Sequence, residues 1–290
     1  MRVLKQDAEK EIDRLRKKGE FLNGFRIKHE GEFVLVPVRH SDEEGEFEES
    51  HSKKMRHVGS FESIGDFYVI KRRDGWEAIM DEILLKRKPR AVFIDEGVFG
   101  RERRRKLTRV AGEGEPEGIV KENGIRMKVN VEKAYFSPRL ASIRSHLLEN
   151  VLKYEHKLVL DMYAGVGPIS LLLLKNNINT ISIDVNPFAI DLLSYNLRLN
   201  RLKGNPIIAD SNSIAHCISP NQVIMNNPTQ DIGTSEEIVS RFGKGTVVHL
   251  FNLASKDFLI RWNFVDVLER REVHGFSPED SLFYYLLRLI

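Results

Sequence analysis

From residue 138 to the C-terminus, the apolar positions fall into short blocks separated by stretches of helical spacing. The blocks read Leu158-Val159-Leu160-Asp161, Thr180-Ile181-Ser182-Ile183-Asp184, Pro206-Ile207-Ile208-Ala209-Asp210, Gln222-Val223-Ile224-Met225-Asn226 and Thr246-Val247-Val248-His249-Leu250. Such short, mostly apolar runs suit strands buried on both faces. A helix over Arg139 to Leu152 precedes the first block, and another over Pro187 to Asn200 follows the second. Strands alternating with helices predict a doubly wound, mainly parallel α/β sheet of the Rossmann-like kind. Two last runs, Val265 to Val273 and Leu282 to Leu289, predict an antiparallel hairpin that closes a seven-stranded sheet.

Upstream the pattern is shorter and more charged. A helix from Asp7 to Lys18 leads into strands at Phe25–Lys28 and Glu32–Val38, with Gly31 turning between them. Residues 41–58, with a dense acidic run from Asp42 to Glu49, read as a solvated linker. A strand at Phe67–Ile70, a helix from Gly75 to Leu85 and a strand at Arg90–Ile94 follow. Then comes a basic run holding Arg101, Arg103, Arg104, Arg105, Lys106 and Arg109. Strands at Ile119–Glu122 and Ile125–Val131 are joined by Asn123-Gly124, a hairpin signal. The expected organisation is a small α/β module over 1–40, the linker over 41–58, a basic middle module over 59–134 and the Rossmann-like domain over 135–290.

Composition narrows the class only modestly. Of 290 residues, 41% are hydrophobic and 30% charged, as in an ordinary globular protein, and the net charge is +3. The lone Cys217 rules out an intrachain disulfide framework and fits a reducing cytoplasm. No apolar run approaches the roughly 20 residues of a membrane span, and the N-terminus lacks the apolar core of a signal peptide. His40, His51 and His57 flank the acidic run without the spacing of a standard metal site, so no metal is expected. His249, inside an apolar strand, reads as a satisfied sheet residue. A cytoplasmic monomer is the expectation.

Three features stand at the carboxyl ends of successive strands, where open α/β sheets bind ligands. Gly165-x-Gly167 follows the first, and glycines there admit a ligand close to the backbone. Asp184 ends the second strand, 17 positions after Gly167, and is placed to accept hydrogen bonds from ribose hydroxyls. Asp210-Ser211-Asn212 ends the third, where an adenine amino group could be held. Taken singly, such a glycine pair marks a tight turn and such an aspartate caps a helix. Together they point to a nucleoside-bearing cofactor. The turn continues Gly167-Pro168-Ile169-Ser170, so the third glycine of the dinucleotide fingerprint is absent. S-adenosylmethionine has no pyrophosphate to cradle and does not need it.

These residues sit within longer blocks: Val120-Lys121-Glu122-Asn123-Gly124, Tyr135-Phe136-Ser137-Pro138-Arg139-Leu140, Asp161-Met162-Tyr163-Ala164-Gly165-Val166-Gly167-Pro168, Asp184-Val185-Asn186-Pro187-Phe188 and Val223-Ile224-Met225-Asn226-Asn227-Pro228. Through them the chain resembles the archaeal and eukaryotic tRNA methyltransferases that act on the guanosine just 3′ of the anticodon, whose relatives serve wybutosine synthesis. Phe21 to Val38 is similar to that family's small tRNA-contacting domain. The resemblance implies that Tyr135, Asp161, Gly165, Gly167, Asp184 and Asp210 form the S-adenosylmethionine site. It implies that Arg103, Asn226 and Pro228 handle the target guanine, with Asn227 standing where the family has leucine. Arg101, Arg104, Arg105, Arg109, Arg139 and Arg144 would meet RNA phosphates.

One departure bears on catalysis. Guanine N1-methylating members carry a glutamate, held to be the general base, immediately before an arginine downstream of Ser-Pro-Arg-Leu. This chain has Ile143 before Arg144, and no glutamate lies between Ala134 and Leu148. Guanine N1 is protonated at neutral pH, and a positioned base is typically worth about 10²–10⁴-fold. Three readings follow: another group substitutes, His146 or Glu149 further along the helix, of which only His146 is a near neighbour on that face; the chemistry is a wybutosine-pathway methyl or aminocarboxypropyl transfer; or a tRNA-binding paralogue has lost activity.

Overall fold

The computed structural model describes residues 1–18, 20–21, 27–38, 61–99, 104–275 and 277–290. By packing, the chain divides into residues 1–58 and 59–290. The first unit carries β1 (Arg2–Leu4), α1 (Ala8–Lys18), β2 (Lys28–Glu30) and β3 (Phe33–Leu35). Its antiparallel sheet has the order β1-β3-β2. Gly31, at φ +58°, makes the turn between β2 and β3. Leu15, Phe21, Val34 and Val36 form the small core. Strand β1 went unrecognised because three residues carry no period. The predicted strand at Phe25–Lys28 lies largely outside the described residues, as does the acidic run.

The second unit opens with β4 (Phe61–Ile64), β5 (Phe67–Lys71), α2 (Trp76–Arg87), β6 (Ala91–Phe99) and β7 (Arg104–Gly112), whose strands form a sheet in that order. The C-terminal part of the basic run is therefore a strand, paired antiparallel to β6. Hairpin β8 (Glu117–Glu122) and β9 (Ile125–Asn130) turns at Asn123 (φ +49°) and Gly124 (φ +71°), the left-handed pair a two-residue hairpin demands. Strand β9 buries Ile125, Met127 and Val129 in one cluster with Phe67, Leu171 and Leu193. That shared core joins the middle residues to those after 134, so packing shows no break there.

The remainder is α3 (Ala141–Val151), β10 (Val159–Asp161), α4 (Pro168–Lys175), β11 (Thr180–Asp184), α5 (Pro187–Leu199), β12 (Asn205–Ile208), α6 (Ser211–Ile214), β13 (Gln222–Met225), α7 (Ile232–Val239), β14 (Val247–Ser255), β15 (Val265–Gly275) and β16 (Asp280–Leu289). The seven-stranded sheet has the order β12-β11-β10-β13-β14-β16-β15. Its first five strands are parallel, and β16 and β15 are the antiparallel closing hairpin. Strand order reverses at β10, with β11 on one side and β13 on the other, which opens a crevice beyond its carboxyl end.

His249 is fully buried in β14, 2.8 Å from Tyr284 Oη and 2.8 Å from Gln222 Oε1. The Gln222 amide donates to the carbonyls of Val151 and Glu155, so its oxygen faces the ring and accepts from Nε2–H. Nδ1 then accepts from Tyr284. Burial pushes the His249 pKa down to about 3, and the residue is the satisfied sheet histidine expected. Among the described residues, no helix is long and apolar enough to cross a membrane.

Candidate active site

The carboxyl ends of β10, β11, β12 and β13 bring Tyr163 to Gly165, Asp184, Asp210 and Asn226 to Pro228 around one cleft. Tyr135, Ser137 and Leu140 close it from the segment leading into α3. The turn after β10 is set by its glycines. Gly165 (φ +56°) lines the cleft, and its N–H donates to Asp184 Oδ2 at 2.7 Å. Gly167 (φ +94°) caps α4, and a Cβ there would overlap Leu193 Cδ1. Gly167 thus serves the turn and the packing rather than the cleft wall. Ser170, where a dinucleotide site has its third glycine, is fully buried. Its hydroxyl donates to Asp161 Oδ2 at 2.6 Å and accepts from Ser182 at 2.8 Å.

Asp184 also accepts the Asn186 N–H on Oδ1 at 2.9 Å, so backbone N–H groups on both oxygens aim the carboxylate. Asn186 caps α5 through Phe188 N–H and ties its amide to the Lys133 carbonyl at 2.7 Å. Asp210 lines the cleft and caps α6 through Asn212 N–H at 3.1 Å. The Tyr163 hydroxyl lies 2.6 Å from Asn212 Oδ1 and 2.8 Å from Gln230 Oε1. Burial pushes its pKa up to about 12, so it stays a donor at neutral pH. Sequence reasoning missed Tyr163 and Gln230 as lining residues; Tyr163's place inside the glycine motif was the available signal.

Asp161 corrects an expectation. Its side chain is fully buried beneath the turn and does not line the cleft. Burial, reinforced by nearby Asp184, raises its pKa to about 7 against the Ser170 hydrogen bond. It holds the turn from below rather than meeting a ligand.

A second, larger cleft of about 810 Å³ adjoins the first. The two share Tyr135, Ser137, Leu140, Asn226 and Pro228, and the second is walled by β4, β5 and β6 through Glu62, Val69 and Asp95. Pro228 is fixed by its carbonyl, which accepts the Leu253 N–H at 2.8 Å.

The basic residues sort by burial, which the sequence does not state. Arg105 is 6% exposed; it pairs with Glu62 at 2.7 Å, donates to the Phe136 carbonyl at 3.3 Å and lies 5.5 Å from the Tyr135 ring centre. Burial opposes its charge, but Glu62 and Asp95 outweigh that and raise its pKa. Arg144 is 2% exposed and forms a bidentate pair with Glu122, both bonds 2.6 Å. Neither guanidinium is free to meet a phosphate, since each is consumed by an internal carboxylate. Arg109 is exposed and holds the Gly114 carbonyl at 3.2 Å, and Arg139 lines the larger cleft. The backbone of Arg104 begins β7, while Arg101 and Arg103 lie outside the described residues.

The helix expected to carry a base does not present one. Ile143 packs with Leu140, Leu147 and Ile169 in the core. His146 is committed to Glu269 on β15, at 2.8 Å, and lines neither cleft.

Comparison with known proteins identifies the family of the chain. The model of the TRM5/TYW2 methyltransferase domain matches residues 118–273, and that of the tRNA methyltransferase 5 N-terminal domain matches residues 1–48. The tRNA (guanine(37)-N(1))-methyltransferase Trm5b of Pyrococcus abyssi is 30% identical over 91% of this chain and 91% of its own length. The structure of aTrm5 with tRNALeu superposes with a TM-score of 0.69 at 27% identity, covering 100% of this chain and 99% of that one. Methanocaldococcus jannaschii Trm5 in complex with adenosine gives 0.64 at 26% identity, covering 99% and 98%. Matched by both domain models and 30% identical to a relative over 91% of each chain, this chain belongs to the TRM5/TYW2 methyltransferase family.

Proposed function

We propose that the chain is an S-adenosylmethionine-dependent tRNA methyltransferase that forms N1-methylguanosine at the position 3′ of the anticodon, in the cytoplasm. The observation that carries this is the junction of two clefts at Tyr135, Ser137, Leu140, Asn226 and Pro228. One is lined by the carboxyl ends of the parallel strands, where a nucleoside-bearing donor would sit, and the other, of about 810 Å³, has room for a base on a polynucleotide. The names of the relatives supply the acceptor: the Pyrococcus abyssi protein is a tRNA guanine-N1 methyltransferase.

The residues present fit S-adenosylmethionine. Gly165 leaves the cleft wall free of a side chain, and Asp184, aimed by backbone N–H groups on both oxygens, lines the cleft where ribose hydroxyls would meet a carboxylate. Asp210 and Asn212 line the cleft where an adenine amino group finds acceptors. The bound donor supplies a methyl carbon on a sulfonium, activated for displacement. What this chain adds is placement and exclusion of water. Tyr135 and Pro228 narrow the junction, and Asn226 presents an amide to the base edge. Residues 1–48 provide the tRNA-contacting module, and Arg139 and Arg109 meet the RNA chain.

The test uses two labels on S-adenosylmethionine with an unmodified tRNA transcript. Methyl label transferred to RNA is expected. Carboxyl label transferred would instead mean aminocarboxypropyl transfer, and no transfer despite tight tRNA binding would mean an inactive paralogue.

A further inference from the structure

We propose that Glu62 on β4 accepts the N1 proton of the target guanine. The inference rests on the guanine-N1 reading above. That reaction needs a base within reach of the junction between the clefts, and α3 offers none: Ile143 is core, His146 is bound to Glu269 and Glu149 lines neither cleft.

The larger cleft holds three carboxylates and a histidine: Glu62, Asp95, Glu96 and His274. Glu96 is held through both oxygens by Arg72, each 2.7 Å away, and that pairing holds its carboxyl below the ordinary range. Asp95 accepts the Gly97 N–H on Oδ1 at 2.9 Å and its Oδ2 stands 3.7 Å from Arg105 Nη1, so its side-chain hydrogen bond ties it to its own strand and not to the segment that divides the clefts. His274 stands on β15, opposite Leu282. A neutral imidazole has one acceptor nitrogen, too few for two adjacent donors on a base edge. Glu62 differs in place and in partners. It is 9% exposed, yet lines the cleft. Its Oε2 accepts from Arg105 Nη1 at 2.7 Å, and Arg105 donates in turn to the Phe136 carbonyl and packs against Tyr135. The carboxylate is thereby fixed against the segment that divides the clefts. Arg139 Nε approaches Oε1 only to 3.6 Å, beyond a hydrogen bond. Oε2 is anchored by a hydrogen bond, while Oε1 meets Arg139 at ion-pair distance, and both side chains line the cleft.

The chemistry matches guanine. Its Watson–Crick edge presents N1–H and an N2 amino group side by side as donors, and O6 beside them as an acceptor. A carboxylate accepts from the donors, and Arg139, alongside Glu62, offers a donor for O6. The N1–H bond breaks toward Glu62 Oε1, and its electron pair stays on N1. That pair forms the bond to the methyl carbon while the carbon–sulfur pair returns to sulfur. The products are N1-methylguanosine and S-adenosylhomocysteine, and Glu62 releases the proton to solvent.

The experiment measures single-turnover methyl transfer to tRNA by the full chain carrying Glu62→Gln, across pH 6 to 9, alongside tRNA and S-adenosylmethionine affinity. Loss of a general base predicts a rate lower by about 10²–10⁴-fold near neutrality, with both affinities retained. It also predicts a log-linear recovery with pH, because hydroxide then removes the proton that the substituted amide cannot. A merely structural Glu62 would change affinity or melting without steepening the pH profile. A Glu62→Gln rate within about threefold of wild type overturns the proposal. Should that variant fail to fold, Glu62→Asp keeps the charge for Arg105 but withdraws the carboxylate by one methylene. A tenfold or greater rate loss there, with the wild-type pH profile, supports the role, and an unchanged rate overturns it. If the wild-type protein itself forms no N1-methylguanosine, it is the functional reading that fails, whatever the variants do.

Discussion

Removing the carboxylate of Glu122 should destabilise the protein severely. Glu122 and Arg144 are both nearly inaccessible to solvent, and two parallel 2.6 Å bonds join them. Arg144 also donates to the Ser137 carbonyl at 3.0 Å, at the lip of the donor cleft. In Glu122→Ala the guanidinium stays buried with one neutral acceptor. Breaking such a pair from one side costs about 3–5 kcal/mol. For a unit of this size that lowers Tm by about 10 °C. Replacing both partners by apolar residues, Glu122→Leu with Arg144→Met, removes the stranded charge and should recover more than half of the loss. Thermal and urea melts of the single and double variants measure this directly. A Glu122→Ala change below about 1 kcal/mol would refute the claim that the pair is buried and mutually dependent. A double variant no more stable than the single would refute the claim that the stranded charge is the cost.

Asp161→Asn should flatten the pH dependence of stability. The folded value of about 7 lies above the ordinary 3.8, so between these the folded form keeps a proton that the unfolded form has lost. Wild-type stability therefore falls as pH rises through that window, by about 2 kcal/mol from pH 5.5 to 7. Urea melts of both proteins at those pH values should differ by that slope, and parallel curves would contradict it. Asp184→Ala should weaken S-adenosylmethionine binding more than tenfold by calorimetry, and unchanged affinity would mean that ribose is held elsewhere.

The parallel sheet was legible because strands buried on both faces must be apolar throughout, and each ended where a polar residue reached the crevice: Asp184, Asp210, Asn226. The hairpin at Asn123-Gly124 was legible because few residue pairs tolerate two left-handed positions in succession. Strand β7 was not, because its arginines mask the period of two. In a strand Arg105 faces inward while Lys106 faces water, and only the presence of Glu62 on a distant strand decides that the inward charge is tolerated. Arg144 misled for the same reason, its partner Glu122 lying on a hairpin 22 residues away. Charge is visible in a sequence; what neutralises it depends on tertiary neighbours. Asp161 shows the converse. It stands in the cofactor motif, but its position one layer beneath Gly165 comes from the Ser170–Ser182 bridge, which no local spacing announces.

The most direct test of the account identifies the product. A tRNA transcript incubated with this protein and S-adenosylmethionine, then digested to nucleosides and analysed by mass spectrometry against standards, should yield N1-methylguanosine. A transcript with adenosine in place of the guanosine 3′ of the anticodon should yield none. A methyl group on another atom or position, or the same yield from both transcripts, would contradict the account.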